Sequence, residues 1–244
     1  MIRSDQPDYL REGLLVAFSS KSDGSMLDRS RGIHESDILE HRRALCAQAG
    51  VSYDDVVYQE IVYGAEQSYE KLATVTSDDT TVSTPGVQAD GLVTDQKGVG
   101  LFLPVADCVA TVVYDPKKQL LALLHLGRHS TLTTLVTKTI EYFKERGSNP
   151  QDLLVWMSPS AKLDTYVLEW FDQAADPAWS GFYETRNDGI HVDLAGYNRQ
   201  RCIDMGVPEG NIVVSPIDTT TNPEYFSHRA GDTTDRIAVL AMMR

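Results

Sequence analysis

No apolar run in the sequence approaches the roughly 18 residues that a membrane-spanning helix needs. The N-terminal stretch MIRSDQPDYLREG has no apolar signal core either. Cysteine is scarce: Cys46, Cys108 and Cys202 are an odd number, widely spaced and without a CxxC pair. That pattern excludes a disulfide framework and fits a reducing compartment, so the cytoplasm is the expected location. Positive charge is also in deficit, with 22 Lys and Arg against 35 Asp and Glu and a formal net charge of −13. Such a surface repels phosphate backbones and anionic lipid heads, so neither a nucleic acid nor a membrane is an expected partner. The acidic residues are scattered, as in 35-ESDILE-40 and 169-EWFDQAAD-176, and read as a solvated surface. Repeats and low-complexity linkers are absent as well.

What is present is an ordinary globular composition, 42% hydrophobic and 23% charged over 244 residues. A chain of this length can bury a core large enough to need no metal or disulfide staple, and one α/β domain spanning 1–244 is expected. Strands are predicted over 13–19, 56–62, 91–94, 99–105, 109–114, 119–126, 152–157, 211–215 and 236–243. Between the second and third, the polar stretch 63–90 reads as a long surface excursion. Helices are predicted from Ser36, as cap, to Ala49, over 130–146, over 165–175, and from an Asp193 cap to Met205. Hairpins mixed with crossover helices point to mixed β-sheets.

The turn 115-DPKK-118 joins two apolar strands. If Asp115 and Lys118, or Tyr114 and Gln119, close the loop, Cys108 lies directly across from His125. A thiol beside an imidazole can act as nucleophile and proton carrier, and the same two side chains are ligands suited to zinc. Asp107 precedes the thiol and Gly127 follows the imidazole, which opens both strand ends to a ligand. The bland reading is a small core cysteine and a satisfied histidine. Cys46 faces the core of its helix and reads as inert, Trp156, Trp170 and Trp179 as core or rim aromatics, and His191 as structural.

At these residues the chain resembles a known family. ADGLVT at 89–94, VADC at 105–108 and HLG at 125–127 look like motifs of the peptidoglycan-editing-factor family, also called laccase-domain or polyphenol-oxidase-like proteins. Weaker matches run along most of the chain: EHRRAL at 40–45, YGA at 63–65, SPSA at 158–161 with Tyr166-Val167, and YFSHR at 225–229. The resemblance implies a single-domain, four-layer α/β/β/α fold with mixed sheets. It also implies zinc held by two histidines and a cysteine, and action on purine nucleosides by phosphorolysis or adenosine deamination. By position, Cys108 and His125 are two of those ligands. The chain departs from the family pattern at the other histidine, where Tyr63 stands, and at Arg128-His129-Ser130, Asp218-Thr219, Arg229-Ala230 and Lys21. True laccase copper chemistry is not expected, since no HxH pair exists among the histidines.

The first functional expectation is therefore a purine nucleoside phosphorylase-like enzyme, a transferase or hydrolase acting on a small-molecule nucleoside with phosphate. Its catalytic candidates are Cys108, His125 and Asp107, with Cys108 and His125 as metal ligands. Its substrate-binding candidates are Lys21, Tyr63, Asp90, Arg128, His129 and Arg229. A metal-independent cysteine hydrolase acting on a cell-wall precursor amide is one alternative. A non-catalytic paralogue that binds a ligand or partner is the other.

Overall fold

A computed structural model describes residues 13–31 and 34–244; the N-terminal stretch read above as lacking a signal core lies outside the described residues. The strands alternate in burial because successive side chains point to opposite faces. In β1 (Leu14–Phe18), Leu14, Val16 and Phe18 enter one core while Leu15 and Ala17 enter another. The same split recurs in β15 (Asp235–Met243), where Ile237, Val239 and Ala241 face one way and Ala238, Leu240 and Met242 the other. A strand that is apolar on both faces belongs inside a layered structure, and this is one.

The first sheet has the order β1, β15, β7 (Gly100–Val105), β3 (Val56–Glu60), β5 (Val87–Gln88), with the short β2 (Leu27–Asp28) on the start of β15. The second has the order β14 (Ile212–Val214), β10 (Leu154–Met157), β8 (Val109–Asp115), β9 (Leu120–Leu126), β6 (Gly91–Thr94), β4 (Leu72–Thr74). Both mix parallel and antiparallel pairs. Their facing sides form the central core, including Trp156, Leu101, Leu121 and Val239. Helix α1 (Ser36–Gln48) covers the outside of the first sheet through Leu45 and Cys46. The outside of the second is covered by α3 (Leu135–Glu145) and α4 (Leu194–Asp204), through Ile140, Phe143, Ala195 and Cys202. The expected four-layer α/β/β/α order is thus present. A three-stranded sheet, β11 (Val167–Leu168), β13 (Gly189–Val192), β12 (Tyr183–Arg186), lies beside it.

Several local expectations need correction. The helix predicted over 165–175 does not form. Val167 and Leu168 pair with His191 and Ile190, and only Asp172–Ala175 makes a short 3-10 turn. The aromatic and β-branched residues of this stretch bury more area extended than coiled, with Tyr166, Leu168 and Phe171 all in the outer core. The helix predicted over 130–146 is two, α2 (Arg128–Thr131) and α3, separated by Leu132–Thr134. Ser36 is the first helical residue and not the cap, whereas Asp193 does cap α4 by accepting from the Gly196 amide. Within the polar excursion, β4 and β5 join the two sheets as parallel strands. No helix among the described residues is long and apolar enough to cross a membrane.

Candidate functional site

The chain passes from the first sheet to the second at Ala106-Asp107-Cys108, between β7 and β8. Asp107 makes this corner in the left-handed region, at φ 67°, unusual for a residue with a β-carbon. Its buried carboxylate holds the corner together. Oδ1 accepts from Thr219 Oγ1 at 2.7 Å and Oδ2 from the Arg229 amide at 2.8 Å. The Asp107 carbonyl accepts from the Ala161 amide at 3.1 Å. Both carboxylate oxygens are engaged, so Asp107 anchors the corner from the edge of the pocket.

The hairpin register is not the one expected. Asp115 pairs with Leu120, and Ala110, not Cys108, stands across from His125. The loop is Pro116 to Gln119: Asp115 Oδ1 accepts from the Lys117 and Lys118 amides, and Gln119 turns at φ 55°. This shifts the pairing by two positions, which keeps the same face. Cys108 therefore remains on the side of His125, diagonal to it and just beyond the end of the strand. Gly127 lies between them. A β-carbon there would sit 2.9 Å from Cys108 Sγ, 3.1 Å from His125 Cε1 and 3.4 Å from Nε2, so both side chains converge over the glycine.

The His125 loop is fixed from behind. Its amide donates to the Asp90 carbonyl at 2.8 Å, and Ser130 Oγ donates to its carbonyl at 2.6 Å. The imidazole is 5% exposed and its Nδ1 has no hydrogen-bond partner. Desolvation, then the guanidinium groups of Arg236 and Arg29, then His129, lower its pKa to about 4. Burial, followed by the Asp107 carboxylate, pushes the Cys108 thiol up to about 12 against the opposing pull of Arg236, Arg229 and Arg29. In both cases the shift favours the uncharged form, a neutral thiol beside a neutral imidazole.

Above this floor opens a cavity of about 440 Å³, within the range of small-molecule sites. Its walls are mainly aromatic and cationic, with the acidic residues Asp28, Glu60 and Asp107 also on the lining. Tyr63 meets the His125 ring edge-on at 6.4 Å, Tyr69 lies tilted against His129 at 4.6 Å, and Tyr166 lies under Arg229 at 3.8 Å. Arg29 covers the Tyr63 ring at 4.7 Å, and Arg128 lies over the exposed Trp170 at 5.4 Å. Arg236, 7% exposed, donates to the carbonyls of Asp235, Thr233 and Asp232. Of the sequence candidates, Cys108, His125, Asp107, Tyr63, Arg128, His129 and Arg229 line the cavity. Lys21 and Asp90 do not. Lys21 is paired with Asp232 at 2.9 Å, and Asp90 Oδ2 accepts from the Lys71 amide at 2.9 Å. Arg29, Arg236 and Tyr69 were missed by sequence reasoning. Arg29 and Arg236 come together only because β2 pairs with the start of β15, a contact with no local sequence signal.

The fold and the pocket define a four-layer α/β domain with a small-molecule cavity where its two sheets exchange strands. The chain belongs to the family described as multi-copper polyphenol oxidoreductase laccase, whose model matches residues 20–244. It is 30% identical over 149 residues to the purine nucleoside phosphorylase YlmD of Bacillus subtilis, covering 57% of this chain and 53% of that protein. This chain thus spans about half the length of that relative. A purine nucleoside phosphorylase of Deinococcus radiodurans is 27% identical over 93% of this chain and 89% of its own. Among solved structures, YlmD from Geobacillus stearothermophilus superposes with a TM-score of 0.80 at 24% identity, over 95% of this chain and 92% of that one. The Bacillus licheniformis hypothetical protein YfiH gives a TM-score of 0.82 at 23% identity, over 96% and 94%.

The family description is that of metal-bearing proteins, but the donors of this chain do not fit a resident metal. Cys108 and His125 supply two, as expected. Tyr63, where the third ligand would stand, offers a phenol whose pKa is raised by desolvation and by the Cys108 sulfur. His129 is turned toward Tyr69 and Arg128. Among the described residues no group of three His, Cys, Asp or Glu is placed to hold a metal ion.

Proposed function

We propose that the cavity binds a purine nucleoside together with phosphate and catalyses phosphorolysis of the glycosidic bond, as the names of its relatives say of them. The observation that carries this reading is one pocket with a neutral Cys108–His125 floor, tyrosine walls and four arginines (Arg29, Arg128, Arg229 and Arg236). Tyrosine and histidine rings suit a stacked base, and guanidinium forks suit a phosphate. A phosphate oxygen attacks the ribose C1′ and the C–N bond breaks, its electron pair leaving with the base. The proton carried in by hydrogen phosphate ends on a base nitrogen, and the products are ribose 1-phosphate and free purine. Cys108 and His125 supply hydrogen bonds at the floor of the pocket, and the arginines offset the phosphate charge.

Zinc, implied by the resemblance to the family, has two of its three donors here, so no step is routed through it. The relative named adenosine deaminase RL5, 27% identical over 204 residues, makes deamination the second reaction to assay. The cysteine-hydrolase alternative has the environment of Cys108 against it, since burial raises the thiol to about 12 and favours its neutral form. A ligand-binding, non-catalytic protein is favoured by one feature, Tyr63 in the place of a donor. The test is release of purine from adenosine and inosine in the presence of phosphate. Turnover that is lost in Cys108→Ala supports the enzyme. Equal background in wild type and variant assigns the pocket to binding alone.

A further inference from the structure

The arginines of this chain fall into contrasting groups. Arg31, Arg186, Arg199 and Arg201 each pair with a carboxylate, as expected where acidic residues outnumber basic ones. Arg29, Arg128, Arg229 and Arg236 have no carboxylate within ion-pair distance among the described residues, and all four line the same cavity. Arg236 is the extreme case. It is buried, its hydrogen bonds go to neutral carbonyls, and Arg29 is near enough to repel its charge. The carboxylate that attracts it, Asp107, is already engaged by Thr219 and the Arg229 amide, and a buried cation so partly compensated, next to a second cation, is costly unless something anionic completes it.

The same two guanidinium groups flank the floor where a metal would sit. Arg29 lies on the ring of Tyr63, and Tyr63 lies edge-on to His125. A divalent cation on Cys108 and His125 would lack a third strong donor and would face both positive charges. An oxyanion at the same place would find guanidinium donors and a neutral floor. We infer that this chain has exchanged a resident metal for arginine charge: Arg29 and Arg236 hold a phosphate-class oxyanion over Cys108 and His125, and Tyr63 closes the site to zinc. The inference rests on the pocket assigned above but not on turnover.

The full chain, purified without chelator, is analysed for zinc and copper and titrated calorimetrically with inorganic phosphate. The expected results are less than ~0.1 equivalent of either metal and saturable phosphate binding. Arg29→Met, at an exposed position, is expected to weaken phosphate about tenfold, and Arg236→Met by at least as much. Tyr63→His restores a third imidazole or thiolate donor and is expected to retain zinc where the wild type does not. About one zinc per wild-type chain, or phosphate affinity unchanged in Arg29→Met, overturns the inference. A zinc-loaded chain that turns over nucleosides sinks this inference and leaves the proposed function standing; a metal-free, phosphate-binding chain without turnover does the reverse.

Discussion

Two buried histidines, one in the second sheet and one in the small three-stranded sheet, show how similar burial can serve opposite purposes. His191, 2% exposed in the small three-stranded sheet, has both ring nitrogens occupied: Nδ1 faces the Leu163 carbonyl at 3.0 Å and Nε2 the Asp188 carboxylate at 2.9 Å. His125, 5% exposed, has an unpartnered Nδ1 and guanidinium groups where His191 has a carboxylate. One ring is satisfied by its surroundings and fastens a loop to a strand. The other is held in place through its backbone while its side chain is left unfinished. Burial alone does not mark a functional histidine; an unfinished hydrogen-bond account beside a cavity does.

The largest effect that would sharpen this contrast is on turnover. Cys108→Ala and His125→Ala are each expected to lower kcat/KM for phosphorolysis about 10²-fold or more, whereas His191→Gln leaves it within a few-fold. Comparable losses at both histidines, measured by purine release, would erase the distinction. Next is the dependence of stability on pH. His125 titrates near 4 folded and near 6.5 when unfolded, so between those values the unfolded chain binds the extra proton. Stability from this group is complete above about pH 6.5 and is lost as pH falls toward 4, by about 3 kcal/mol. Denaturant unfolding at pH 7 and pH 4 should show that loss in wild type and its absence in His125→Gln.

At His191 the expected cost is structural. His191→Leu leaves the Leu163 carbonyl without its partner and should destabilise the fold by about 1–3 kcal/mol, read from a denaturation midpoint. The smallest effect is on thiol reactivity. Cys108 should react with iodoacetamide at pH 7.5 no faster than an ordinary exposed thiol, because its pKa is raised to about 12. Fast labelling would show a thiolate and reopen the hydrolase reading.

Continuous apolar runs made the long central strands readable in the sequence, since β7, β8, β9 and β15 are buried throughout their apolar stretches. The hairpin that gathers Cys108 and His125 was legible too, although its register was off by two. That offset turned on which residues close the loop, and the Asp115 side chain settles it by capping the turn. The stretch 165–175 was misread because its apolar spacing suits a helix while its partner strand, β13, lies later in the chain. Lys21 and Asp90 looked like ligand-binding groups because a charge in a loop carries no local sign of being already paired. Arg29 and Arg236 escaped for the converse reason: nothing nearby in the chain shows that they lack a partner.

From β3 to β8 the chain alternates between the two sheets at every strand, with β3, β5 and β7 in the first and β4, β6 and β8 in the second. The sandwich is laced and not merely stacked. Neither sheet can be completed before the other, so a fragment carrying only one should not fold, and hinge-like parting of the layers is opposed by the five connections between β3 and β8. Changes in the width of the cavity above the Cys108 floor therefore fall to the rim side chains, Tyr63 and Arg29 among them, and not to the frame.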